Sequence, residues 1–294
     1  MTTITSHQPR LARIDLFDSP STPPDERVTL EYAQQGAHGG TTLLLLHGIT
    51  DSWRSFEGVM PHLPADWHVI ALTQRGHGGS SKPRRGRGGS SAAPLPAYRT
   101  REFAADAAAL VRALRLPPVI VVGHSMGAAN AMRFAIDHPT LVRGVIAAGA
   151  FASFGDKPEL VAFVREQIAP LIDPIPRELA HAFQMDTIAR AVPPGLIDTA
   201  VDESLRVPAH VWREAFEQLL ADDFSAELSR IAVPTLLVQG EADAFVPATD
   251  TQRLLHALPN ARASVWAGAG HAMHWEEPAR FAAEVVRFVT ALEG

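Results

Sequence analysis

Gly123-His124-Ser125-Met126-Gly127 sets a serine between two glycines, directly after the apolar run Val119 to Val122 and at the head of a segment with helical period, Met126 to Asp137. A turn that sharp leaves little room for side chains on either side and lifts the hydroxyl to the end of a strand. The N–H of Met126, opening the next helix, would face any negative charge developing there. The chemistry this placement suits is nucleophilic attack on an acyl carbon. A Gly-x-Ser-x-Gly run also occurs by chance as an ordinary turn, and the strand before it and helix after it are what separate the two readings.

A serine hydroxyl is a weak nucleophile without a base within hydrogen-bond reach, and the base needs a third group to hold its orientation. Downstream, the apolar run Pro234 to Val238 leads into Gln239-Gly240-Glu241-Ala242-Asp243, and Ala263 to Trp266 leads into Ala267-Gly268-Ala269-Gly270-His271. Both segments leave a strand at its carboxyl end, as Ser125 does, so Asp243 and His271 are expected to complete a triad with Ser125. Glu241 competes for the acid role and His274 for the base role. Alone, either Asp243 or His271 would read as a turn residue or a satisfied polar group. A second backbone donor is expected from His47-Gly48-Ile49-Thr50, after the run Thr42 to Leu46, with the N–H of Ile49 and that of Met126 forming an oxyanion hole. His47 itself reads as a brace for that loop.

The elements that must position these groups follow from periodicity. Short runs rich in Val, Leu and Ile (those above, with His68 to Leu72 and Val142 to Ala148) alternate with helical segments at Phe56 to His62, Arg101 to Leu114, Met126 to Asp137, Thr249 to Ala257 and Pro278 to Leu292. That alternation predicts an α/β fold with a mostly parallel sheet and helices on both faces. Arg10 to Phe17 and Arg27 to Tyr32 add an edge hairpin, which brings the sheet to eight strands. Between Phe151 and Ile231 the alternation stops, and four helical segments near 158–171, 176–190, 195–204 and 208–222 follow one another. A helical insertion after the sixth strand reads as a cap over the strand ends, giving a core of residues 1–152 and 227–294 and a cap of 153–226.

Composition excludes more than it selects. With 46% hydrophobic and 20% charged residues the chain has ordinary globular makeup and enough apolar side chains for a large core. A net charge of -6 has the wrong sign for a general nucleic-acid binder, and the basic run Lys82, Arg84, Arg85, Arg87 lies in a Gly-, Ser- and Pro-rich stretch, Pro83 to Pro96, that reads as a surface loop. Zero cysteines exclude a thiol nucleophile and a thiolate metal site. No run approaches the roughly 20 apolar residues of a membrane span, and the N-terminus lacks a secretory pattern, so a soluble cytoplasmic protein is the expectation.

Taken together, these residues resemble the α/β-hydrolase superfamily, in particular its capped, esterase-like branch, over nearly the whole chain from about residue 28. The resemblance rests on Leu43 to Gly48, on Arg75-Gly76-His77-Gly78-Gly79-Ser80, on the serine turn, on Gly240 to Pro247, and on Gly270-His271 followed by His274-Trp275-Glu276-Glu277-Pro278. It implies the chain order Ser125, Asp243, His271 for the triad, with Ile49 and Met126 as backbone donors. Ser125 at the nucleophile position disfavours the epoxide hydrolases and haloalkane dehalogenases, which use a carboxylate there. Ile49-Thr50 departs from the loop of several peptidases and carbon–carbon bond hydrolases. Gln74 stands where an Asp often precedes Arg-Gly-His-Gly, and Ala128 where a second Gly often follows the serine turn.

The resulting expectation is hydrolysis of a carboxylic ester or lactone of a small, largely apolar substrate through an acyl-serine, with no metal or organic cofactor. Carbon–carbon bond hydrolysis, perhydrolysis and a slow-turnover binding protein are the rivals. Phe183, Trp212, Phe245 and Val246 are expected to line the substrate pocket, with Phe163, Ile168 and Met185 as further candidates.

Overall fold

The structure, a computed structural model, describes residues 9–16, 28–87 and 95–293. Eight strands form one sheet: β1 (Arg10–Leu16), β2 (Val28–Gln35), β3 (Thr42–Leu46), β4 (His68–Thr73), β5 (Val119–His124), β6 (Val142–Ala148), β7 (Thr235–Gly240) and β8 (Ala261–Trp266). Their order is β1-β2-β4-β3-β5-β6-β7-β8. β1 and β2 pair antiparallel, as the hairpin reading requires, and β2 also runs antiparallel to β4; the remaining pairs are parallel. The connection between the two expected hairpin strands, residues 17–27, falls outside the described residues, as do 88–94 of the basic loop.

The apolar runs are uninterrupted because the central strands are covered on both faces. Alternate residues still sort cleanly. Leu44, Leu46, Ile70, Leu72, Val121 and Val145 join one buried cluster, while Leu43, Leu45, Val69, Ala71, Val122 and Ile146 join another. The first cluster packs against α1 (Thr100–Ala113) and α2 (Met126–Asp137). The second packs against α9 (Pro278–Glu293), whose Phe281, Val285, Phe288 and Val289 point inward at helical spacing. Each such side chain contributes about 1.5–3 kcal/mol when fully buried.

Chain topology changes after β6. Four helices follow, α3 (Pro158–Phe163), α4 (Arg177–Met185), α5 (Leu196–Leu205) and α6 (Ala209–Ala221), before the chain rejoins the sheet at β7. α3 runs on through a wider π-type turn, Val164–Ile168. Then come α7 (Ala248–Ala257) and, after β8, the short α8 (Met273–Glu276). The expected helix from Phe56 to His62 is replaced by two 3₁₀ turns, Trp53–Phe56 and Met60–His62. Gly58 and Pro61 lie between and within them, and neither supports a continuous helix.

β3 and β5 are neighbours, with Leu46 beside Gly123, so the loops leaving them emerge together. β4 lies on one side of this pair and β6 on the other, which makes the gap the point where strand order reverses and where open α/β sheets bind ligands. Nearby, Arg75 is buried and clamped by Asp106 of α1 through Nε at 2.6 Å and Nη2 at 2.8 Å, and by Glu102 at 3.2 Å. Arg87 reaches the same two carboxylates, Asp106 at 2.6 Å and Glu102 at 3.5 Å. That part of the basic run is therefore neutralised within the protein.

Candidate active site

Ser125 lies between β5 and α2 with φ 54 and ψ -119, a left-handed conformation that side chains other than glycine adopt at a cost of order 1–3 kcal/mol. Its neighbours show why the turn needs glycine. A Cβ on Gly123 would sit 2.1 Å from the Gly127 carbonyl oxygen, and one on Gly127 would sit 2.1 Å from that of Leu46. The N–H of Ser125 donates to Ala148 of β6 at 2.9 Å, and its carbonyl accepts from Ala128 and Ala129 to start α2. The backbone is thus pinned while the side chain faces a cavity.

His271 lines the same cavity, and its Nδ1 lies 2.8 Å from Asp243 Oδ2. The Asp243 side chain is fully shielded from solvent, and its other oxygen accepts from the N–H groups of Phe245 and Val246, each at 2.9 Å. Two backbone donors fix one oxygen, while the ring and Gln239 Nε2, at 3.4 Å, meet the other. Nδ1 then carries the proton facing Asp243, which leaves Nε2 as the basic nitrogen. Among the described contacts no hydrogen bond joins Ser125 Oγ to His271 Nε2 directly, a link that often tightens only when substrate is bound. Gly149 lets the backbone pass the ring: a Cβ there would come within 2.8 Å of His271 Cε1.

The competing residues are placed elsewhere. Glu241 is exposed and accepts from the Gly268 N–H at 2.9 Å, bracing the two loops rather than meeting the imidazole. His274 is buried against Phe56, His124 and Trp275, with Nε2 3.0 Å from Ser55 Oγ; burial lowers its pKa to about 3. His124 is also buried, its Nε2 held 3.1 Å from the His271 carbonyl oxygen, and burial keeps it neutral as well.

The loop after β3 is braced from two sides. His47 Nδ1 faces the Gly48 carbonyl at 2.7 Å, so Nε2 is free to accept the N–H of Gln74 at 2.9 Å, and burial holds the ring neutral. Gln74 also donates to the His47 carbonyl and accepts from Asn130 of α2, both at 2.8 Å. This bridge between the β3 loop and α2 is a use for glutamine that the sequence did not disclose. Thr50 has φ 67, and its hydroxyl is held by Gln184 of α4 at 3.2 Å and Ser204 of α5 at 3.1 Å. Ile49 and Met126 are buried, and among the described contacts neither of their N–H groups has an acceptor. Buried unpaired donors beside a buried serine are what an oxyanion would require.

The cavity is bounded by Gly48, Ile49, Ser125 and His271 on the sheet side. Phe154, Leu160, Phe183, Phe216, Leu219 and Phe245 make an apolar wall, while Asp51, Gln184, Thr187 and Trp275 bring polar groups. Of the expected lining residues, Phe183 and Phe245 are there, with Phe245 5.2 Å from the His271 ring centroid. Trp212 and Val246 are not. Trp212 is fully buried behind Phe183 and Phe216, its indole N–H donating to the Ser204 carbonyl at 3.3 Å. Val246 is likewise buried, its backbone used to hold Asp243. Phe163, Ile168 and Met185 also fall outside the wall; Ile168 is in the core and Met185 is exposed. Asp51, Gln184 and Phe216 carried no periodic signal that would have marked them in advance.

The sheet order, the serine turn and the histidine–carboxylate pair define a class, and comparison with known sequences agrees. The profile of the alpha/beta hydrolase fold family matches residues 41–278, and the chain belongs to that family. Among its relatives, 2-(acetamidomethylene)succinate hydrolase of Mesorhizobium japonicum is 29% identical over 274 residues, 90% of this chain and 93% of the relative. The 2-hydroxy-6-oxononadienedioate/2-hydroxy-6-oxononatrienedioate hydrolase of Paraburkholderia xenovorans is 29% identical over 90% of this chain and 92% of its own length. The structure is also similar to that of an esterase from Exiguobacterium antarcticum, with TM-score 0.76 and 22% identity over 89% of this chain and 96% of the other.

Proposed function

We propose that the chain is a serine hydrolase cleaving a carboxylic ester or lactone of a small, largely uncharged substrate, with residues 153–226 acting as a cap over the site. The observation that carries this reading is the buried Asp243–His271 pair at 2.8 Å, facing one cavity with a serine held at positive φ. In this reading His271 Nε2 takes the Ser125 proton as Oγ attacks the carbonyl carbon. The N–H groups of Ile49 and Met126 receive the oxyanion, and a pair of such donors supplies on the order of 10²–10³ in rate each. The intermediate collapses, the leaving alkoxide takes the proton from His271, and water activated by the same nitrogen releases the acid and frees Ser125. Every proton in this cycle is carried by His271, so the chemistry calls for no cofactor.

The relatives named above act on substrates whose names, succinate and dienedioate, carry two carboxylates. None of the described residues lining this cavity is Arg or Lys, and the apolar wall offers no counter-ion. A buried carboxylate without a cation is costly, which favours an uncharged ester or lactone here. A chain-length series of p-nitrophenyl esters, acetate to decanoate, together with simple lactones, tests the reading. Turnover of at least one is expected from the wild type and loss of about 10⁴ or more from Ser125→Ala. Unchanged turnover by the alanine variant would remove Ser125 from the mechanism.

A further inference from the structure

The acyl-transfer mechanism leaves two ionisable groups of the cavity lining without a role, His124, which burial keeps neutral, and Asp51. Asp51 follows the oxyanion loop, is 4% exposed, and shares the cavity wall with Ser125 and His271. No cation pairs with it among the described residues. Arg54, which borders a second pocket together with Asp51, is directed at Glu57 and Glu203, at 2.8 Å and 3.8 Å, and Arg206 at Glu203 at 2.8 Å. Its partners are neutral donors: Gln184 Nε2 reaches Oδ1 and Ser55 Oγ reaches Oδ2, each at 3.2 Å. Ser55 in turn is fixed by Trp275 Nε1 and by neutral His274.

A carboxyl group buried among neutral donors holds its proton, since the ionised form would be an unpaired charge in an apolar enclosure. Burial accordingly pushes Asp51 up to about 8, with Glu203 adding to the shift and the bonds from Ser55 and Gln184 opposing it. Gln184 Nε2 can only donate to Oδ1, whereas Ser55 Oγ can donate or accept, so the acid proton is shared between Ser55 and whatever occupies the cavity that Asp51 lines. Phe and Leu side chains line the same cavity, so the enclosure is amphipathic.

We propose that Asp51 is a specificity-determining residue, donating a hydrogen bond to a carbonyl or ether oxygen that the substrate carries away from its scissile bond. The substrate is then an oxygen-bearing ester or lactone rather than a plain alkyl one. This inference rests on the assignment of Ser125 as nucleophile.

The test compares kcat/KM within matched pairs: p-nitrophenyl pentanoate against its 4-oxo analogue, and butyl acetate against 3-oxobutyl acetate. The first pair places the oxygen on the acyl side and the second on the alcohol side. Wild type is expected to favour the oxo ester in at least one pair, and Asp51→Leu to lower that preference about tenfold, the worth of one buried hydrogen bond. Asp51→Asn, which keeps a donor, should retain it. A second readout does not depend on how the leucine variant folds. The wild-type preference should fall as pH rises through about 8, where Asp51 ionises, and stay flat in Asp51→Asn. The other titratable groups facing this region, His124, His271, His274 and Glu203, act on both members of a pair, so their effects cancel in the ratio. No preference in either pair, or one indifferent to Asp51 and to pH, overturns the proposal. Labelling by p-nitrophenyl butylphosphonate and its 3-oxobutyl counterpart reads the same ratio without ester turnover. Failure to label Ser125 contradicts the mechanism as well, whereas labelling at a ratio unaffected by Asp51→Leu contradicts the role of Asp51 alone.

Discussion

Asp243 and Glu241 lie two residues apart on one loop, yet only Asp243 meets the imidazole. Its second oxygen is committed to the N–H groups of Phe245 and Val246, so an amide there must turn its NH₂ either toward those donors or toward His271 Nδ1. Both arrangements spoil the tautomer. Asp243→Asn is therefore expected to lower kcat by up to about 10⁴, and Glu241→Gln by less than about threefold, measured by steady-state kinetics on one p-nitrophenyl ester. The reverse order would move the acid to Glu241. A second residue-scale prediction uses the strain at Ser125: glycine relaxes a φ of 54 that alanine must keep, so Ser125→Gly should be more stable than Ser125→Ala by about 1 kcal/mol in urea unfolding, though both lack activity. Asp51 supplies a third. Its folded pKa, about 8, lies above the ordinary 3.8, so the stability it contributes is fully present below about pH 4 and is lost as pH rises through 8. The melting temperature of Asp51→Asn relative to wild type should thus increase between pH 5 and pH 9, by a few degrees. The placement of Ser125, Asp243 and His271 was legible in the sequence because each follows a strand end at a turn rich in glycine. Asp51 was not, since a lone Asp after a glycine loop looks like any turn residue until its neighbours are seen.

Strands and helices of the sheet were readable because their signals are local: apolar runs of five to seven residues for buried strands, and 3.6-residue spacing for α9. The faces of the inserted helices were less readable. α4 and α6 each carry apolar residues on more than one side, and which of them face the cavity is decided by how the helices pack on one another. Phe183 and Phe216 reach it, while Trp212 stands behind them. Phe183→Ala should therefore shift ester chain-length preference, toward longer acyl groups, by a factor of about three or more. Trp212→Ala should instead cost about 3–5 kcal/mol of stability with little change in relative preference. Equal effects of the two variants on preference would contradict the assigned wall.

One buried apolar cluster runs from the sheet face bearing Leu44 and Val121 into α4 and α6 through Phe183, Trp212 and Phe216. These inserted helices are thus joined to the sheet by core packing, and the two are expected to unfold together: tryptophan fluorescence and far-UV circular dichroism should give coincident transitions. Among the described residues no helix is long and apolar enough to cross a membrane. Across the whole molecule, strand order brings three loops to one edge, from β5, β7 and β8, and each carries one of the three proposed catalytic residues. The most direct measurement of that arrangement is covalent labelling with a fluorophosphonate, located by peptide mass spectrometry. One label per chain on the peptide containing Ser125, abolished in Ser125→Ala and slowed at least a hundredfold in His271→Ala, is the expected result. A label on another residue, or one that forms at the wild-type rate without His271, would contradict the account.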